Sequence, residues 1–210
     1  MSGGAVIERE RRVFDDFFKI DEFLVAHVRI DGAMSASQRR LVFERGDSVA
    51  VLLLNADTRS VVLVEQFRMP TLAGRRRDNP STTDGWITET VAGGVDANET
   101  PAAAAMREVF EETGFRVRQL RPIGRFFSSP GGTSERVFLY FAEVTDADRI
   151  ATGGGDDDED IKVVPLPIDE LFDRVAAGSI EDPKLLIAAY WLQNRLKSRS
   201  PRAADSAATA

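Results

Sequence analysis

The sequence contains no cysteine and a single histidine, His27, among its 210 residues. The absence of cysteine excludes disulfide bonds, thiolate metal ligands and a cysteine nucleophile. No apolar run approaches the roughly 20 residues that a membrane-spanning helix needs. Residues Met1 to Glu10 also lack the apolar core of a secretory signal. We therefore expect a cytoplasmic protein, and we assign no catalytic role to His27.

Positive charge is scarce as well, with 27 Lys and Arg residues against 34 Asp and Glu residues and a formal net charge of −7. Phosphodiester polymers and anionic membranes bind to basic surfaces, so neither nucleic acid nor a membrane is an expected partner. A small phosphorylated molecule held through a metal ion is compatible with this charge. The length suits one principal domain with an accessory element.

Runs of β-branched and aromatic residues, separated by turn residues, predict strands as far as Arg68. They are Glu22 to Ile30, Arg40 to Glu44, Val49 to Leu54 and Ser60 to Phe67. We interpret residues 1–45 as a small N-terminal β element that precedes the main domain. The polar stretch from Pro70 to Gly85 can bury little, so we expect a long exposed loop there.

The remaining chain contains both predicted strands and predicted helices, which we assign to a main domain of residues 46–197. Thr100-Pro101 is typical of a helix start and Gly114 of a helix end. We expect one further strand before this helix and more strands and helices after it, followed by a disordered tail at 198–210. The strands are Trp86 to Val91, Val117 to Phe127, Arg136 to Val144 and Ile161 to Pro165, and the helices are Ile168 to Ala177 and Pro183 to Lys197.

Three carboxylates share one face of the helix that begins at Thr100. At about 100° per residue, Glu111 and Glu112 lie on either side of Glu108. Like charges at this spacing weaken a helix, so the cluster needs a compensating cation or a function. Mg²⁺ prefers carboxylate oxygens and is commonly completed by substrate phosphates. The alternative is a solvated acidic face without a function.

The carboxylates belong to a longer pattern, G-x5-E-x7-R-E-U-x-E-E-x-G-U, in which U is an apolar residue. Its defined positions are Gly93, Glu99, Arg107, Glu108, Val109, Glu111, Glu112, Gly114 and Phe115. The chain therefore resembles the Nudix hydrolases. The resemblance implies an α/β/α sandwich with a mixed central sheet, and orienting roles for Arg107 and Glu99. It also implies attack by water on a nucleoside diphosphate linked to another group.

The resemblance further implies a Mg²⁺ site of two or more ions, with Mn²⁺ able to substitute. Glu108 and Glu112 would be the principal ligands, and Glu111 a further or shared ligand. The backbone carbonyl of Ala92 would also ligate. A binding module that senses a nucleotide sugar without hydrolysing it is the rival, and the complete set of carboxylates argues against it.

Three segments outside this pattern resemble bacterial ADP-ribose pyrophosphatases. They are Val64 to Arg68, Glu89 to Gly93 and Ser129 to Arg136. The resemblance implies substrate contacts from Arg68, Glu89 and the loop that contains Gly131, Gly132 and Thr133. It also implies a homodimer in which the N-terminal β element is exchanged.

The acidic segment from Gly153 to Ile161 resembles a loop of the same enzymes that carries a glutamate just before Asp-Ile. Glu159 occupies that position, and the resemblance implies that it activates water or ligates a metal. Asp157 is the alternative base. Because three segments resemble ADP-ribose pyrophosphatases, we expect hydrolysis of ADP-ribose or a related nucleoside diphosphate sugar. The triple glycine of the acidic segment is more similar to GDP-mannose pyrophosphatases, which makes GDP-mannose the alternative substrate. The run Arg75 to Arg77 is either a phosphate clamp or part of a solvated loop.

Overall fold

A computed structural model describes residues 4–155 and 159–199. Asp157 and residues 200–210 of the predicted tail lie outside this range. The chain forms two compact units. The first contains the residues up to Ser48 together with Arg125–Phe138, and the second contains Val49–Gly124 and the residues from Leu139 onward.

The first unit is built on an antiparallel three-stranded sheet in the order β1-β2-β3. Its strands are β1 Ala5–Asp15, β2 Lys19–His27 and β3 Gln38–Glu44. Strand β1 was not predicted as a separate strand. Every residue of β1 is exposed, so no buried face imposes the alternation of apolar and polar residues that marks a half-buried strand.

A buried carboxylate lies at the centre of this small sheet. The side chain of Glu22 is 2% exposed, accepts a hydrogen bond from Arg11 Nε at 2.7 Å and is also bonded by Arg39. Those hydrogen bonds lower the pKa of Glu22 to about 2 from its usual 4.5. Glu22 therefore stabilises the folded state above about pH 4.5 through its charge, and that contribution disappears as the pH falls towards 2.

We expect Glu22→Gln to lower the midpoint of thermal unfolding by several degrees at pH 7, because it leaves the guanidinium groups of Arg9, Arg11 and Arg39 without their shared anion. Unfolding monitored by circular dichroism between pH 2 and pH 7 measures the effect. The difference from wild type should shrink below pH 4.5. Glu10→Gln, which removes an exposed carboxylate from β1, is the control. An equal effect of both substitutions at all pH values would contradict the prediction.

The second unit contains most of a seven-stranded sheet, in the order β10-β5-β4-β9-β8 with β6 beside β5 and β7 beside β4. The strands are β4 Ser48–Asn55, β5 Ser60–Phe67, β6 Trp86–Glu89, β7 Val91–Gly94, β8 Arg121–Phe127, β9 Arg136–Val144 and β10 Ile161–Pro167. The helices are α1 Met69–Arg75, α2 Pro101–Thr113, α3 Ile168–Ala177 and α4 Pro183–Arg199, with a 3-10 turn at Asp146–Asp148. The predicted α/β/α sandwich with a mixed sheet is confirmed.

Strands β4 and β5 form the centre of the core. The consecutive residues from Val49 to Leu53 are all 0% exposed, so both faces of the sheet are covered there. Among the described residues, no helix combines the length and the apolar character needed to cross a membrane.

Several predicted elements differ from the structure in kind or in their bounds. The loop expected from Pro70 to Gly85 begins with helix α1, which has proline in its first turn and no buried residue. A helix without a buried face shows no apolar periodicity, so the sequence pattern does not reveal it. The strand expected from Trp86 to Val91 is interrupted at Thr90, and α4 continues two residues beyond Lys197 to Arg199.

Candidate active site

Helix α2 presents the clustered carboxylates, and its ends are those that the sequence predicts. Thr100 caps the helix by accepting a hydrogen bond from the amide of Ala103 at 3.2 Å, and Pro101 is the first helical residue. Gly114 ends the helix in the left-handed conformation, with φ of 74°. Ala104, Val109 and other small or apolar residues bury the face that packs on the sheet, which fixes the rotation of the helix about its axis.

Glu112 is the most unusual side chain of the helix. It is 3% exposed, and its Oε2 atom is buried with no hydrogen-bond partner among the described residues. Burial, followed by the nearby charges of Glu108 and Glu159, raises its pKa to about 9. The amide of Ala92 and the charge of Arg68 act in the opposite direction. An unpaired buried carboxylate is costly, and a cation would satisfy it.

Glu108 lies one helical turn before Glu112 and points at strand β7. Its carboxylate sits directly against the Cα of Gly93, where a β-carbon would overlap both oxygens. Only glycine leaves room for Glu108 at this position, which is a physical reason for the first glycine of the sequence pattern. Burial raises the pKa of Glu108 above its usual value, and the charges of Glu111 and Glu159 add to this increase.

Arg107 binds the carboxylates on the edge of this cluster. Its guanidinium donates to Glu99 at 3.0 Å, to Glu108 Oε1 at 2.8 Å, to Glu111 Oε2 at 2.9 Å and to the carbonyl of Gly94 at 3.1 Å. The hydrogen bond from Arg107 lowers the pKa of Glu99. Such a multiply bonded guanidinium restricts the rotamers of the carboxylates around it.

The donor atoms suit a hard divalent cation. In residues 4–155 and 159–199, no three acidic or histidine side chains converge into a complete metal site by themselves. Glu112 nevertheless has a free buried oxygen, and Glu108 and Glu159 are close enough to raise its pKa. Carboxylate oxygens of this kind, completed by substrate phosphates, are the surroundings that Mg²⁺ prefers. These residues therefore fit the cation.

Arg68 and Glu89, both predicted to contact the substrate, form an ion pair with each other. Arg68 Nε donates to Glu89 Oε2 at 2.7 Å, and Lys184 Nζ donates to Glu89 Oε1 at 3.1 Å. Glu89 is 8% exposed, and these two cations lower its pKa despite its burial. Glu89 therefore stays charged and pairs with two cations, of which Arg68 is close enough to Glu112 to lower the pKa of that carboxyl group.

Lys184 and Asp182 also belong to this network, and neither was predicted from the sequence. Lys184 Nζ also lies 2.8 Å from Asp182 Oδ1, and Asp182 is only 1% exposed. Asp182 caps α4 by accepting from the amide of Leu185, and it accepts from the amide of Thr90 at 3.1 Å. The Asp-Pro pair at residues 182 and 183 was a recognisable capping pattern, but nothing local indicated that its partner is Thr90.

The residues predicted to contact the substrate from a loop, Gly131, Gly132 and Thr133, belong to the first unit. Gly132 and Thr133 close a tight turn by donating to the carbonyl of Ser129, and the amide of Phe43 donates to the carbonyl of Gly132 at 2.8 Å. The turn is therefore anchored to strand β3. Its role toward the substrate stays a prediction.

Arg75 is not a free phosphate clamp. It forms ion pairs with Asp84 at 2.8 Å and with Glu181 at 2.5 Å, and it donates to the carbonyl of Trp86. Arg75 thus ties α1 to its neighbours, while Arg76 and Arg77 are exposed.

Comparison with known proteins agrees with this geometry. The NUDIX domain family matches residues 44–187. A GDP-mannose pyrophosphatase of Enterobacter sp. (strain 638) is 36% identical over 187 residues, which cover 89% of this chain and 94% of the relative. A GDP-mannose pyrophosphatase of Klebsiella pneumoniae subsp. pneumoniae is 36% identical over 92% of this chain and 93% of its own length. A GDP-mannose pyrophosphatase of Escherichia coli O1:K1 / APEC is 32% identical over 92% of this chain and 97% of its own length. Nudix hydrolases generally need a divalent metal such as Mg²⁺. The chain belongs to the Nudix hydrolase family, as the spacing of its glycines and glutamates predicted.

Proposed function

We propose that this protein hydrolyses the pyrophosphate bond of a nucleoside diphosphate sugar, giving a nucleoside monophosphate and a sugar phosphate. The observation that carries the proposal is the buried Oε2 atom of Glu112, which lies near Glu108 and has no hydrogen-bond partner in residues 4–155 and 159–199. A protein that only senses the nucleotide does not need this costly arrangement of charge.

GDP-mannose is the leading substrate, because the similar curated proteins are GDP-mannose pyrophosphatases along nearly their whole length. The triple glycine at residues 153–155 also favours it over ADP-ribose. ADP-ribose is the second candidate, supported by the three segments that resemble ADP-ribose pyrophosphatases.

The chemistry divides among the described residues as follows. Glu108 and Glu112 would hold the cation together with the carbonyl of Ala92, and Glu111 would be a further or shared ligand. When bound, the cation neutralises the pyrophosphate and acts as a Lewis acid toward phosphorus. We propose two or more Mg²⁺ ions, for which Mn²⁺ can substitute.

Arg107 keeps the Glu108 and Glu111 carboxylates in place, and Arg68 would contact the negatively charged substrate from the Glu89 network. Glu159 would accept a proton from the attacking water as the bond between the bridging oxygen and phosphorus breaks. Asp157, which lies outside the described residues, is the alternative base. Glu89 and the turn of Gly131, Gly132 and Thr133 are proposed as substrate contacts.

Product formation from GDP-mannose and ADP-ribose, measured in parallel with Mg²⁺, tests this function. We expect faster release of nucleoside monophosphate from GDP-mannose. A preference for ADP-ribose would mean that the three segments of this chain that resemble ADP-ribose pyrophosphatases indicate the substrate better than the triple glycine does. Inactivity toward both compounds would contradict the proposal and favour the sensor.

We also propose a homodimer in which a second copy covers the N-terminal β element. Strand β1 is an edge strand with all eleven residues exposed, and Phe17 in the following turn is 84% exposed. A long exposed edge normally needs a covering partner. Light scattering should give twice the chain mass of 23.1 kDa, and a monomer would contradict this proposal. The cytoplasmic location and the expected absence of nucleic-acid and membrane partners stay predictions.

A further inference from the structure

The C-terminal turn of α2 is joined to the acidic loop by backbone hydrogen bonds. The amide of Gly154 donates to the carbonyl of Glu112 at 2.9 Å, and the amide of Gly155 donates to the carbonyl of Glu111 at 3.1 Å. Carbonyls in the last turn of a helix have no partner within the helix. Here the loop supplies that partner at the two residues whose side chains belong to the carboxylate cluster.

Only glycine can make these contacts. Gly153, Gly154 and Gly155 have φ angles of 73°, 118° and 77°, in the region that side chains disfavour. A β-carbon on Gly153 would also lie 2.5 Å from the carbonyl oxygen of Glu112. We call the segment Gly153–Gly155 the glycine clamp.

The glycine clamp also contacts the side chain of Glu159 through Gly155. A β-carbon on Gly155 would lie 2.5 Å from Glu159 Oε2 and 2.9 Å from Ile161 Cδ1, so the Glu159 side chain rests against the bare Cα of Gly155. Strand β10 begins at Ile161 and holds the other end of this loop by pairing with β5. Glu159 is thereby fixed between α2 and the sheet.

We propose that the glycine clamp is a positioning device that holds Glu159 beside the carboxylates of α2. Two backbone hydrogen bonds join the clamp to the end of the helix that carries Glu112, and the bare Cα of Gly155 leaves room for the Glu159 side chain. The proposal rests on the role of Glu159 in the proposed function.

Gly153→Ala tests the clamp, and Gly178→Ala is the matched control. Gly178 also has a positive φ, of 66°, but no atom lies within 4 Å of the position of an added β-carbon. The control therefore carries the backbone strain without the collision. We expect Gly153→Ala to lower kcat about a hundredfold, which is the scale of a misplacement near 1 Å, while KM changes little. Gly178→Ala should leave both values within about threefold of wild type.

Repeating Gly153→Ala in a Glu159→Gln background separates positioning from general damage to the helix. If the clamp acts through Glu159, the additional loss of kcat disappears in the double variant. An equal loss in both backgrounds, or a Gly153→Ala enzyme as active as Gly178→Ala, would overturn the proposal. Gly155→Ala serves in the same design if Gly153→Ala does not fold.

Mg²⁺ binding measured by calorimetry gives a second readout that does not depend on turnover. Gly153→Ala should weaken Mg²⁺ binding about tenfold relative to Gly178→Ala, as is typical when a group that orients metal ligands is lost. Unchanged affinity together with unchanged kcat would overturn the clamp. A wild-type enzyme that binds Mg²⁺ but hydrolyses neither sugar nucleotide would contradict the proposed function. In that case the Mg²⁺ affinities of Gly153→Ala and Gly178→Ala would test the glycine clamp by themselves.

Discussion

Glu112→Gln should lower turnover of the nucleoside diphosphate sugar by about a thousandfold or more, the scale expected when a group that stabilises transition-state charge is removed. The glutamine keeps the size of the side chain but loses the anionic oxygen that lies buried without a partner. The fold should survive, because burial already favours the uncharged form of Glu112 when no cation is bound. Turnover with Mg²⁺ and circular dichroism measure the two effects.

The matched control is Glu143→Gln, which makes the same change at an exposed position on β9. It should retain wild-type turnover. If Glu112→Gln loses its circular dichroism signal, the loss of activity is explained by unfolding and the catalytic interpretation of Glu112 is wrong. If the folded variant turns over normally, the assignment of Glu112 as a metal ligand is wrong.

Removal of the metal gives a check on Glu112 that does not rely on substrate. A ligand present at a hundred times its Kd stabilises a protein by about 2.7 kcal/mol. Mg²⁺ should therefore raise the thermal midpoint of the wild type relative to the protein in EDTA. It should raise that of Glu112→Gln much less.

The sequence predicted α2 and its carboxylates well because their determinants are local. The ends of the helix depend on Thr100, Pro101 and Gly114, which act within one turn of themselves. The relation of Glu108 to Glu112 depends only on helical geometry. The boundaries of α3 were predicted for the same reason.

Long-range pairs explain what the sequence did not reveal. Nothing near Asp182 indicates that it accepts from Thr90, 92 residues away, and nothing near Lys184 indicates that it reaches Glu89. Helix α1 was missed because it buries no residue and so has no periodic pattern. The glycine run was recognised by resemblance, but its bonds to the end of α2 depend on the tertiary structure.

Asp182→Ala should be the most destabilising single substitution among the polar residues of the second unit. Asp182 accepts from the amides of Thr90, Lys184 and Leu185 and from the Thr90 hydroxyl, and its charge faces Lys184 Nζ at 2.8 Å. Alanine leaves these donors unpaired in the interior and removes the cap of α4. Breaking a buried ion pair by removing one partner costs about 3–5 kcal/mol.

Urea unfolding followed by circular dichroism measures this loss as a lower transition midpoint. Asp169→Ala is the control, because Asp169 is an exposed residue in the first turn of α3 and its removal should cost less than about 1 kcal/mol. Asp182→Asn should recover part of the loss, since the amide oxygen can still accept from Thr90 while the charge facing Lys184 is gone. A loss for Asp182→Ala no larger than that of Asp169→Ala would mean that the link between Thr90 and α4 does not support the fold. Because Thr90 lies two residues before Ala92, the same variant should also lower kcat when assayed under conditions in which it is fully folded.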